Sequence, residues 1–200
     1  MYRSLKTNRN FLAIVFLCVS FAACTKKDHP DFPAAGEIAA SEQLVSPAAV
    51  AVPANLPVGN TRSATFFATG VQKYKARAKE GTPDAFEWVF VAPEAVLYNA
   101  DNVNIGTHGV GPFWKLVTND SIYAQPYTPA KTVPSPDANS IDWLLLMPKA
   151  GSTPKGIFAG VDYIQRIATK GGKAPATAPV SINDAATVPY TAVYRFTKQN

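Results

Sequence analysis

From residue 86 onward, the large apolar side chains of this chain recur at every second position rather than every third or fourth. Phe86, Trp88 and Phe90 alternate with Glu87, Val89 and Val91. Val161, Tyr163, Gln165 and Ile167 alternate with Asp162, Ile164, Arg166 and Ala168. Tyr190, Ala192, Tyr194 and Phe196 alternate with Thr191, Val193, Arg195 and Thr197. Successive side chains of a strand point to opposite faces, so a period of two is what a sheet with one buried face requires. Residues 141–147 (IDWLLLM) form a continuous apolar run of strand length, which predicts a strand buried on both faces.

Turn residues separate these runs. Ala100-Asp101-Asn102 lies between two short apolar alternations, and Asn119-Asp120 lies between WKLV and SIYA. Asp and Asn tolerate left-handed backbone angles, so both segments read as hairpins. Prolines recur from Pro83 to Pro189, and no stretch between them sustains a helical period. Residues 73–80 (KYKARAKE) contain good helix formers. The extended look of GVQKY just before them favours a strand that ends in a solvated basic loop. The expected fold class is all-β, with eight or nine antiparallel strands in a sandwich or barrel.

The start of the chain addresses a different question. Arg3, Lys6 and Arg9 precede an apolar run over residues 11–21 (FLAIVFLCVSF), followed by Ala22-Ala23-Cys24. This is the layout of a secretory signal peptide, and the run is shorter than the roughly 20 residues of a spanning helix. The FAAC ending resembles a bacterial lipobox. That resemblance implies cleavage before Cys24, lipid on its sulfur, and a lipid anchor in the bacterial cell envelope, at the outer membrane. The plainer reading is an ordinary secreted protein cut near Ala23. Two or three acyl chains, at about 0.8 kcal/mol per buried methylene, anchor stably where one is marginal.

Residues 1–23 are thus expected to be a signal peptide, 24–60 a flexible tether rich in Ala and Pro, and 61–200 an all-β domain. Pro47, Pro53 and Pro57 bias the tether toward extended conformations. Leu44, Val45, Val50, Val52 and Leu56 would also allow its later half to drape on the domain. Cys18 and Cys24 are the only cysteines, so the domain has no disulfide, thiolate metal site or cysteine nucleophile. The formal charge of +5 includes three basic residues of the leader; without them 16 basic residues face 14 acidic ones. No block of like charge remains, and a nucleic-acid surface is not expected.

Several segments taken together resemble the bacterial and fungal family called domain of unknown function 3455. They are QKYKA from Gln72, EWVFVAPEAVLYNADNVNIGTHGVGPFWK, DSIYA, IDWLLLMPK, IQRIATKGGKAP and VPYTAVYRF. The His-x-x-Gly-Pro-x-Trp core and the Arg-x-x-Thr-x-Gly-Gly-x-x-Pro segment are its most specific parts. The resemblance implies a secreted domain without an established activity; some fungal members carry a malate dehydrogenase label. A dinucleotide site needs a G-x-G-x-x-G turn leading into a helix. Gly106, Gly109 and Gly111 come in the wrong order, and Pro112-Phe113-Trp114 stand where the helix should begin. The label is rejected. Where many relatives have two cysteines, this chain has Lys75-Ala76 and Ala176-Thr177-Ala178. Where relatives have hairpin glycines it has Asn102 and Asp120, both expected to adopt positive φ. Asp142 replaces a proline.

His108, one of two histidines, is the leading site candidate. His29 lies in the tether, so a zinc site with three protein ligands is not expected, nor is any other metal or cofactor. His108 could act as a base with a carboxylate, or it could bond a backbone carbonyl and clamp an irregular corner. Gly109 and Gly111 would let a ligand approach the backbone. Trp114 ends this loop and is the tryptophan best placed to line a pocket, whereas Trp88 and Trp143 read as core. Asp142 sits in an apolar run where an unpaired charge is costly, and Arg166 would resolve it. Arg166 with Thr169-Lys170-Gly171-Gly172-Lys173 offers an anion site or, more plainly, a solvated turn. The expected function is a small-ligand or glycan binding module built on His108, Trp114, Gly109, Gly111, Asp142 and Arg166. The alternatives are a metal-free hydrolase or lyase using His108 with a carboxylate, and a passive envelope component. No oligomeric state follows from the sequence.

Overall fold

A computed structural model describes residues 59–82 and 84–199. The leader, Cys24 and nearly all of the expected tether lie outside the described residues. Eight strands follow one another: β1 (Asn60–Ala78), β2 (Phe86–Tyr98), β3 (Asn104–Gly109), β4 (Phe113–Leu116), β5 (Ser121–Val133), β6 (Trp143–Pro148), β7 (Tyr163–Gly171) and β8 (Ala185–Gln199). Each pairs antiparallel with the next, and β1 pairs with β8, with Phe67 opposite Val193 and Gly70 opposite Tyr190. The single sheet therefore closes on itself into an up-and-down barrel. Residues 73–78, where helix was the alternative, belong to β1.

The alternation sorts residues to the two faces. Phe66, Ala68, Ala95, Leu97, Trp114, Leu116, Ile122, Ala124, Leu146, Ile164, Ala192, Tyr194 and Phe196 point inward and form one cluster. In β6, Leu146 faces in while Trp143 and Leu145 are buried on the outer face, as the continuous apolar run predicts. A smaller outer cluster joins Phe67, Trp143, Ile167 and Val193.

Asparagines close two hairpins. Asn102 has φ +61° and Asn119 φ +68°. In the second hairpin the left-handed residue is thus Asn119, not Asp120 as expected. The Asp120 main-chain oxygen accepts the Leu116 N–H, and its carboxylate receives the Ile157 N–H. Ala76 lies opposite Trp88 in the β1–β2 ladder, and the Trp88 indole N–H donates to the Thr177 oxygen at 2.8 Å. Trp88 itself is only half-buried.

One end of the barrel is plugged. A 3-10 turn, Gly156–Phe158, carries Phe158 under the sheet, where its ring meets Phe66 at 6.1 Å and Phe196 at 4.8 Å. Ser63 ties the turn down by donating to the Ile157 oxygen. At the other end β1, β2 and β8 overhang the shorter strands. β1 and β2 slip register between Lys73 and Tyr74, and β7 and β8 between Ile167 and Lys170, where Ala168 has φ +48°. Such slips bend and twist a sheet, and they are common at barrel rims and beside binding sites.

Candidate functional site

Trp114 divides the plugged end from the open one. Its ring packs edge-on against Phe196 on one side and stacks on His108 on the other, with centroids 4.5 Å apart and planes 18° apart. His108 pairs with Trp114 in the β3–β4 ladder and with Ala95 across β2, so its imidazole points into the barrel. It lies in the strand just before the irregular corner, and its bond to the Phe113 carbonyl spans that corner, as the simpler expectation had it. The corner is the β3–β4 turn beyond it, where Gly111 adopts φ +117°.

The hydrogen bonds of His108 fix its tautomer. Nδ1 lies 2.8 Å from the Phe113 carbonyl oxygen, which can only accept, so Nδ1 carries the proton. Nε2 is then the acceptor, and the Tyr194 hydroxyl donates to it across 3.0 Å. The Tyr190 hydroxyl stands 3.5 Å beyond that of Tyr194. The result is a buried relay from Tyr190 through Tyr194 and His108 to the main chain. Burial pushes the His108 pKa down to about 4, against the opposing pull of the Phe113 carbonyl, and the charge of Arg166 lowers it further. Burial likewise raises both phenols. All three rings are neutral at neutral pH.

Arg166 enters the same space from β7, directly opposite Tyr194 in the ladder. Its Nε and Nη2 both donate to the Asp142 main-chain oxygen, at 3.2 and 2.8 Å. The expected link between Asp142 and Arg166 therefore exists, but through the backbone. Asp142 was expected to be buried; it is exposed, one residue ahead of β6, so its carboxylate needs no partner. Thr169 and the Gly-Gly bend also act structurally. Thr169 donates to the Ile141 oxygen, Gly171 gives its N–H to Ser140, and Gly172 accepts from Tyr74.

These groups surround a cavity of about 190 Å3 in the barrel mouth. His108, Trp114, Arg166 and Tyr194 line it on the polar side, with Gly111 and Pro112 at the turn. Phe90, Pro93, Pro126, Leu144 and Leu146 make apolar walls. A second space of about 400 Å3 adjoins it, sharing Phe90, Leu144 and Arg166 and adding Gln72, Tyr74, Asp142 and Lys173. Of the residues singled out in the sequence, His108, Trp114, Gly111 and Arg166 thus meet in the first lobe, and Asp142 lines the second. Gly109 lines neither lobe but borders a separate space of about 620 Å3 with His108, Val110 and Phe113; a Cβ there would fall 2.7 Å from the Phe113 ring, so the glycine also makes room for packing. Sequence reasoning missed Tyr190 and Tyr194, although a tyrosine on an inward face needs a polar partner for its hydroxyl.

The geometry holds His108 as a fixed hydrogen-bonding group and not as a free base. The His108 lone pair is occupied, its basicity is suppressed, and its partners are a carbonyl and a phenol where a base would need an orienting carboxylate. Among the described residues no three His, Cys, Asp or Glu side chains stand close enough to hold a metal ion. Neither a curated protein nor a solved structure matches the chain. The family described as "Protein of unknown function (DUF3455)" matches residues 57–198, most of the chain and all eight strands but the last residue of β8. The chain belongs to that family.

Proposed function

We propose that this protein is a cell-envelope lipoprotein whose barrel binds a small molecule in its open mouth. The cavity around His108, Trp114, Arg166 and Tyr194 is the observation that carries this reading. An eight-stranded barrel has an interior just wide enough to be filled by side chains or to hold one small ligand. Here the Phe66, Phe158 and Phe196 end takes the first option and the His108 end leaves space. Apolar walls with a few convergent polar groups are the usual make-up of a small-molecule site. They favour a compact ligand with an apolar body over a glycan chain. The two lobes together reach the size of ordinary ligand sites, whereas the first alone is smaller.

The membrane attachment of this reading rests on the sequence around Cys24. Labelled palmitate should attach to the processed chain and fail to attach to Cys24→Ala. The site is tested by mass spectrometry of small molecules released when the purified protein is denatured. Wild type should release a compound that Leu144→Trp, which fills the mouth from its wall, does not. Equal release from both, with both folded, would remove the mouth as the site.

A further inference from the structure

We infer that the occupant of the mouth is a small carboxylate with an apolar body, anchored through its acid group by Arg166. This rests on the mouth being a ligand site and specifies its chemistry. Arg166 is the reason. It lines both lobes, so it stands where they meet, and among the described residues it has no carboxylate partner. The Asp142 main-chain oxygen holds it through Nε and Nη2, and Arg166 also donates to the Tyr194 hydroxyl. A guanidinium carries five N–H groups in a planar fork, so donors remain for a further, bidentate acceptor.

The surroundings of Arg166 are also set for an acceptor. Its charge acts on Tyr74, His108, Tyr190 and Tyr194, so it pervades the whole mouth. None of these four rings answers it with a negative charge, because burial holds the phenols protonated and the imidazole neutral. Lys173 adds a second cation to the outer lobe, against the single exposed acid of Asp142. The Trp114 indole N–H is buried without an acceptor in the protein. An acid group supplies only acceptors, and it pairs with arginine in the strong bidentate mode. Phe90, Pro93, Pro126, Leu144 and Leu146 then take the apolar remainder. A neutral sugar would gain little from these cations and would leave these walls unfilled.

Calorimetric titration of the intact protein with 3-phenylpropanoate and with its uncharged analogue 3-phenylpropanamide separates the possibilities. The acid should bind at least tenfold more tightly than the amide. Arg166→Met should bring the acid down to the level of the amide, and Arg166→Lys should restore part of the difference, which also controls for misfolding. Equal binding of acid and amide, or acid binding that survives Arg166→Met, would overturn the anionic class while leaving the mouth as a site. If neither probe binds and denaturation releases no compound, the mouth itself is not a ligand site and both readings fall.

Discussion

The two ends of the barrel are built from the same strands and do opposite things. At one end, Phe158 meets Phe66 and Phe196 edge to face and those two rings meet at a tilt, supported by Val161 and Ile164, with every side chain buried and no polar group among them. At the other, the inward positions of β3, β7 and β8 hold His108, Arg166, Tyr190 and Tyr194, and space remains between them. Trp114 is the partition, with Phe196 on one side and His108 on the other. A small domain must concentrate its packing somewhere if it is to keep a hole elsewhere. The aromatic plug provides stability that the polar mouth does not, and the mouth can then hold a cation and a histidine inside a barrel. Changes at the plug should therefore cost stability, and changes at the mouth should alter titration and binding.

The largest effect is expected at Phe158. It is fully buried between two rings, so Phe158→Ala should remove about 3–5 kcal/mol of unfolding free energy in urea melts. A loss below 1 kcal/mol would mean that the turn is not the plug.

Next comes the acid sensitivity of the mouth. His108 is held near pKa 4 when folded and titrates near 6.5 when unfolded. The unfolded chain therefore takes up a proton first. The stability contributed by neutral His108 is complete above pH 6.5 and falls as pH drops from 6.5 toward 4, by on the order of 3 kcal/mol. His108→Gln should flatten the stability curve in that window relative to wild type. Parallel curves would show that His108 is not buried as a neutral ring.

A smaller effect is expected from Tyr194→Phe. It leaves Nε2 of His108 without its donor, at a cost of about 1–3 kcal/mol. The same change should shift the imidazole nitrogen resonances in NMR spectra. The smallest effect on stability belongs to Arg166→Met, within about 1 kcal/mol, because Arg166 is partly exposed and its hydrogen bonds go to one carbonyl and one hydroxyl at the open mouth, where water can replace it. Its signature is electrostatic: the NMR titration of His108 should move upward once the neighbouring cation is gone.

The strands were legible because their signal is local. The alternation of Tyr190, Ala192, Tyr194 and Phe196 needs only one face to be buried, and the asparagines at 102 and 119 mark turns by their own backbone preferences. Closure carries no such signal. The pairing of Phe67 with Val193 joins residues from opposite ends of the domain, and no nearby pattern announces it. The site was legible in part for the same reason. His108 and Trp114 stand out within one short motif, whereas the place of Arg166 beside them follows from the ladder that sets it opposite Tyr194. Asp142 misled because an acid in an apolar run suggests burial, and a shift of one residue ahead of β6 puts it in solvent. Tyr194 went unnoticed because its alternating strand looks like core, which it also is.

The central claim is that one end of this barrel is a ligand cavity and the other is not. Its most direct measurement is an NMR titration of the isotope-labelled protein with 3-phenylpropanoate, following side-chain N–H signals and aromatic methine signals together. The Trp114 indole, the Arg166 guanidinium and the His108 ring should shift in a saturable way while the Phe158 ring stays still. Saturable shifts confined to Phe66, Phe158 and Phe196, or none anywhere, would contradict it.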